Sequence, residues 1–129
     1  MKPELMLLLW AVALTVVQML IAVSGATLQV GLPKLASNRD NMPPLTGWVG
    51  RADRAHHNML ENLALFASLV LIAVVAGKTN STTLLGAQLF FWGRLGYAVV
   101  YLIGIPWLRT GVWTVSIVGL LLIFLQLAQ

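Results

Sequence analysis

Arg51, Arg54, Asn58 and Glu61 fall at offsets 0, 3, 7 and 10 along one stretch of chain. On a helix turning about 100° per residue they share a stripe about 80° wide that descends about 15 Å. Arg94, Tyr97 and Tyr101, at offsets 0, 3 and 7, make a second such face, and Arg109 follows shortly after. Several guanidinium groups, a carboxylate, an amide and two phenols together suit a small zwitterionic molecule rich in carboxylates. Glu61 and Arg94 should lie at comparable depth on neighbouring antiparallel helices, where they are expected to pair. Arg109, near a helix start, gains the positive end of the helix dipole and would stabilise an anion. Each residue also has a plainer use. The arginines can anchor helix ends among headgroups, Asn58 can join helices, and tyrosine is ordinary at a membrane boundary.

Other chemistries are excluded by what is missing. There is no cysteine, so no disulfide, thiolate metal site or cysteine nucleophile exists. His56 and His57 are adjacent and point about 100° apart, not along one face as a zinc-binding i, i+4 pair does. The net charge of +4 concerns membrane orientation and implies no nucleic-acid partner.

The elements that must position these residues lie in an apolar solvent. Hydrophobic residues make up 59% of the 129 and charged ones 9%, against about 25% charged in soluble domains; mean hydropathy is +0.87. Four stretches reach the roughly 20 apolar residues that span a bilayer: about 5–30, 54–76, 83–103 and 107–128. The expected fold is all-α, a single integral membrane four-helix bundle over residues 1–129. "NMPPLTG", "GKTNSTT" and "GIPW" break it with proline, glycine and capping residues, with Ser81 or Thr82 expected to cap the third span. A signal peptide ending at "AVSGA" is the alternative for the first span, whose apolar stretch exceeds a usual signal core. Lys34, Arg39, Arg51, Arg54 and Arg109 gather on one side, against Lys2 and Lys78 on the other. The positive-inside rule then puts both termini outside the cytoplasm. The pocket lies in the cytoplasmic half and opens toward lipid, so a second, apolar reactant could arrive from the bilayer.

"RAxxNxxE", here Arg54, Ala55, Asn58 and Glu61, resembles the second span of the MAPEG family, the membrane-associated proteins in eicosanoid and glutathione metabolism. "RLGYAVVYLIGIPWLR" resembles the family's third span and the arginine that opens the fourth, and "SNRDN" resembles its first-loop segment. The likeness covers most of the chain and leans to the bacterial-type, microsomal glutathione transferase-like members. It implies a homotrimer in a bacterial inner membrane, with sites between subunits that bind glutathione as co-substrate. Arg54, Asn58 and Glu61, with Arg51 and Arg94 nearby, would hold the tripeptide, and Tyr97 and Tyr101 would line the site. Arg109 would face the sulfur, with Tyr101 able to donate a hydrogen bond. His56, about 200° from Arg54 on the helix, matches a position that reaches glutathione in the adjacent subunit. Two differences stand out: Val30 takes the place of an arginine in strong glutathione binders, and Asn62 takes the place of a frequent aromatic.

The activity so implied is a glutathione-dependent transferase or peroxidase acting on lipophilic electrophiles through an arginine-stabilised thiolate. Two alternatives stand beside it: a protein of the same fold with a lipid-binding or interaction role, and a small four-span multidrug exporter. Exporters of that kind keep a carboxylate within the first span, where this chain has only Glu4 at the edge.

Overall fold

The structure, a computed structural model, describes residues Met1 to Gln129. It is all-helical: α1 (Pro3–Val30), α2 (Leu32–Ala36), α3 (Gly47–Val75), α4 (Ser81–Ile103) and α5 (Pro106–Leu127). The short α2 in the first loop was not expected. Helix α3 begins at Gly47, two turns before Arg54, just past Pro43 and Pro44, which keep the preceding chain out of helix. Apolarity alone marks where the hydrocarbon begins, not where the helix begins.

The ends follow local chemistry. Pro3 and Pro106 occupy first-turn positions of α1 and α5, where a missing N–H costs nothing. Helix α4 is capped by Asn80, not by Ser81 or Thr82: its Oδ1 accepts from Thr82 N at 2.9 Å and Thr83 N at 3.0 Å. Thr83 Oγ1 in turn accepts from Asn80 N at 2.8 Å. The reciprocal pair needs a short polar side chain three residues before Thr83, and only Asn80 has that spacing. Gly104 ends α4 at φ 92°, a left-handed conformation that glycine adopts without strain.

Helices α1, α3 and α5 are each long and apolar enough to cross a membrane. In α4 the polar Gln88 and Arg94 and two tyrosines dilute the apolarity. The packing is inverted relative to a soluble protein. Leu9, Val17, Leu20, Leu65, Leu121, Phe124 and Leu125 face outward, while Glu4, Thr15, Gln18, Asn62, Thr83, Arg94 and Ser116 are buried. Outward apolar and inward polar side chains are what a hydrocarbon solvent requires. Helix α1 packs along α3 and α4 along α5, and α3 and α4 meet in the middle. There Phe66 and Phe90 stack at 4.1 Å within a core that includes Met59, Val70, Ala87 and Ile123.

Helices α4 and α5 approach closely through small residues. A Cβ on Gly86 would lie 2.6 Å from the Gly119 carbonyl oxygen, and one on Gly93 would lie 2.9 Å from Ser116 N. A Cβ on Gly119 would meet the Gly86 carbonyl and, at 2.8 Å, Phe90 N. The obstacles are backbone atoms and cannot rotate away. Gly119→Val should therefore force α4 and α5 apart and destabilise the protein by about 1–3 kcal/mol or more. Gly111, with nothing within 4 Å of its Cβ position, supplies the control: Gly111→Ala should melt no lower than the parent. Thermal melts in detergent check both, and equal melting of Gly119→Val and parent would contradict the close crossing.

Candidate functional site

The site is built where α3, the C-terminal half of α4 and the start of α5 converge. Arg94 is 1% exposed. Its Nη2 donates to Asn58 Oδ1 at 2.7 Å, and its guanidinium lies 4.2 Å from the centroid of the Tyr97 ring. Tyr97 meets Tyr101 edge to face at 5.4 Å. Tyr101 Oη accepts from Arg54 Nε at 3.0 Å, and Arg109 from the first turn of α5 stands 4.6 Å over the Tyr101 ring. A cavity of about 200 Å³ opens among these residues, lined by Asn58, Tyr97, Arg109, Thr110 and Trp113.

Of the residues the sequence singled out, Arg54, Asn58, Arg94, Tyr97, Tyr101 and Arg109 thus come together. Arg51 lies at the edge, where its Nε donates to Leu102 O at 3.1 Å and tethers α3 to the end of α4. His56 faces the other way, into a cavity of about 430 Å³ beneath the first loop that it lines with Asp53, His57 and Arg39. That direction follows from its angle on α3, well off the stripe.

The expected Glu61–Arg94 pair does not form within the chain. Glu61 is exposed, and the chain's single ion pair is His57–Asp53 at 3.5 Å. The reason is rotational. Asn58 lies one turn nearer the arginine-rich end of α3 than Glu61 and about 60° around the helix from it, and its amide oxygen is the acceptor that Arg94 meets. Three residues were not read as part of the site. Trp113 lies four positions beyond Arg109, so extending its helix face by one turn would have found it; Thr110, one position on, points about 100° away and gives no such signal. Asn62 lies one turn beyond Asn58 and bonds to it; a buried amide inside an apolar helix was the available signal.

The electrostatics are lopsided. Three guanidinium groups surround the tyrosine pair with no carboxylate among them. Arg94 Nε and Nη1 are buried with no hydrogen-bond partner. A buried cation with unsatisfied donors is costly, and an anion relieves that cost. The backbone N–H groups at the start of α5 add to the positive field.

Apolar helices of spanning length around a polar, cationic interior define an integral membrane protein with an anion-receptive site among its helices. A profile of the MAPEG family matches residues 5–129, and the chain belongs to that family. No curated protein and no solved structure gives a match.

Proposed function

We propose that this protein is a glutathione-dependent transferase or peroxidase that acts on lipophilic electrophiles. The observation that carries the reading is the arginine–tyrosine cluster. Arg54, Arg94 and Arg109 meet over Tyr97 and Tyr101 with no anion of the chain to balance them. The donor set fits the tripeptide, whose two carboxylates and ionisable thiol supply the anions the cluster lacks. Tyr101 accepts from Arg54 through its oxygen, which leaves its own proton free to donate. Arg109 and Tyr101 then hold a thiol as the thiolate, the nucleophilic form. No general base is needed, because the field of the site does the deprotonating work.

In this reading α4 forms the fourth crossing of a four-helix bundle, covered by its neighbours. The protein sits in a bacterial inner membrane with both termini outside the cytoplasm, as the arginine-rich end demands. It works as a homotrimer. Glu61 is exposed within the chain about 15 Å along α3 from Arg51, and an unpaired carboxylate at that depth calls for a neighbouring copy or a bound amine. Family membership displaces the exporter alternative. The lipid-binding alternative keeps one supporting observation, the apolar Val30 at the end of α1 where a cation would strengthen tripeptide binding.

One measurement separates the two. Adding glutathione to the detergent-solubilised protein at neutral pH should produce thiolate absorbance in proportion to bound tripeptide. Binding without thiolate, or no binding, would favour the lipid-binding alternative.

A further inference from the structure

The polarity of the Asn58 carboxamide is dictated by its neighbours. A guanidinium has donors only, so the Asn58 atom 2.7 Å from Arg94 Nη2 must be the oxygen. That oxygen lies 3.1 Å from a side-chain atom of Asn62. Two oxygens would repel there, so the Asn62 atom must be its nitrogen, which also donates to the Asn58 carbonyl at 2.8 Å. The orientation of both amides follows from donor and acceptor chemistry alone. Asn58 is left with Nδ2, whose two N–H groups make no bond within the chain. Asn58 is half-buried and lines the cavity beside Tyr97 and Arg109.

We infer that Asn62 and Arg94 are positioning residues that hold Asn58 with its donors toward the cavity. The wall then presents N–H groups from Asn58 and Arg109, so it accepts an oxygen-rich anionic group, a carboxylate, and disfavours an ammonium. Asn62 is otherwise hard to account for. It is 8% exposed in the middle of a helix whose other buried positions at that depth are Met59 and Phe66. An apolar side chain would pack there without an amide to satisfy. The identity of the carboxylate as that of glutathione rests on the function proposed above; the orientation of the amide does not.

Asn62→Asp tests this directly. The new carboxylate cannot donate to Asn58 Oδ1, and as a charged acceptor beside that oxygen it competes with it for the Nη2 donor of Arg94. With Arg94 drawn to the carboxylate, Asn58 is free to turn so that Nδ2 bonds the carboxylate while Oδ1 faces the cavity. Two readouts follow in detergent-solubilised, nitrogen-15-labelled protein. The Asn58 side-chain NH2 should exchange with water at least tenfold more slowly in Asn62→Asp than in the parent. Glutathione should bind at least tenfold more weakly to Asn62→Asp, but less than threefold more weakly to Asn62→Leu, where Arg94 still holds the Asn58 oxygen. A merely structural amide predicts the opposite order, since leucine removes its hydrogen bonds altogether. Equal losses in the two variants, or unchanged Asn58 exchange in Asn62→Asp, would overturn the inference. Should Asn62→Asp not fold, the parent decides: rapid exchange at Asn58 with slow exchange at Asn62 supports the arrangement, and the reverse refutes it. A parent that binds no glutathione yet shows that exchange pattern overturns the proposed function and leaves the orientation of Asn58 supported.

Discussion

Arg109→Leu should slow conjugation of a generic aryl halide at neutral pH by about 10- to 30-fold, and bind glutathione nearly as well as the parent. The size follows from the thiol. An unperturbed thiol has a pKa of about 8.5 and is only a few per cent thiolate at neutral pH, whereas a nearby desolvated cation lowers that pKa by about 1–3 units. Removing the cation therefore returns a mostly ionised sulfur to a few per cent. Arg109 is placed for this role at the first turn of α5, 4.6 Å over the Tyr101 ring. Arg54, Arg94 and Asn58 do not depend on it and keep their grip on the rest of the ligand. The sign of the pH dependence is set by the same shift. The deficit should be greatest below the free thiol's pKa and should close as pH rises through about 8.5, where solution supplies the thiolate. Arg109→Lys should fall between, since a lysine keeps the charge and loses the planar fork that stacks on Tyr101. Rates measured against pH for the three proteins check the expectation. If Arg109→Leu matches the parent at neutral pH, the sulfur is activated elsewhere.

Asn58→Leu should cost about 2–3 kcal/mol of stability, the loss of a buried hydrogen bond to a charged group that is left without another acceptor. Asn58 Oδ1 is the only hydrogen-bond acceptor that Arg94 has, because Nε and Nη1 have none. With leucine in its place the guanidinium, 1% exposed, keeps only the face of Tyr97. Leucine also leaves the Asn62 amide with one acceptor fewer. The double change Asn58→Leu with Arg94→Met should recover a substantial part of the loss, because the uncompensated charge goes with it. Glu61 sharpens the test. It is exposed within the chain and bonds to nothing there, so Glu61→Gln and Arg94→Met should add to within about 0.5 kcal/mol. Thermal melts of the two double-mutant cycles, in one detergent, give both coupling energies. A larger coupling for Glu61 with Arg94 than for Asn58 with Arg94 would contradict the geometry.

Much of the molecule was legible because membrane helices are dictated by composition. Bilayer thickness demands long apolar runs and the backbone must bond within them, so three of the four expected spans meet the length and apolarity a crossing needs. Proline and glycine marked the breaks, and helical periodicity gathered Arg54 and Asn58 on one face and Arg94, Tyr97 and Tyr101 on another. The first two turns of α3 lie ahead of the apolar stretch because hydropathy reports solvent, not backbone conformation.

The sequence by itself therefore determined the solvent, the helices, the family and the two polar faces, since each depends on residues near one another along the chain. Which groups pair across those faces was decided only by the tertiary structure. Glu61 and Asn58 lie a single turn apart on α3, and either could have met Arg94 at the depth that spacing allows. The choice rests on the rotation of α3 about its axis and on its offset along α4. Those are set by side chains remote in sequence, the Phe66–Phe90 stack and the glycine contacts that draw α4 onto α5. That packing also turned Glu61 away from the tyrosines although it shares the stripe of Arg54 and Asn58, a relation that no periodicity along one helix contains.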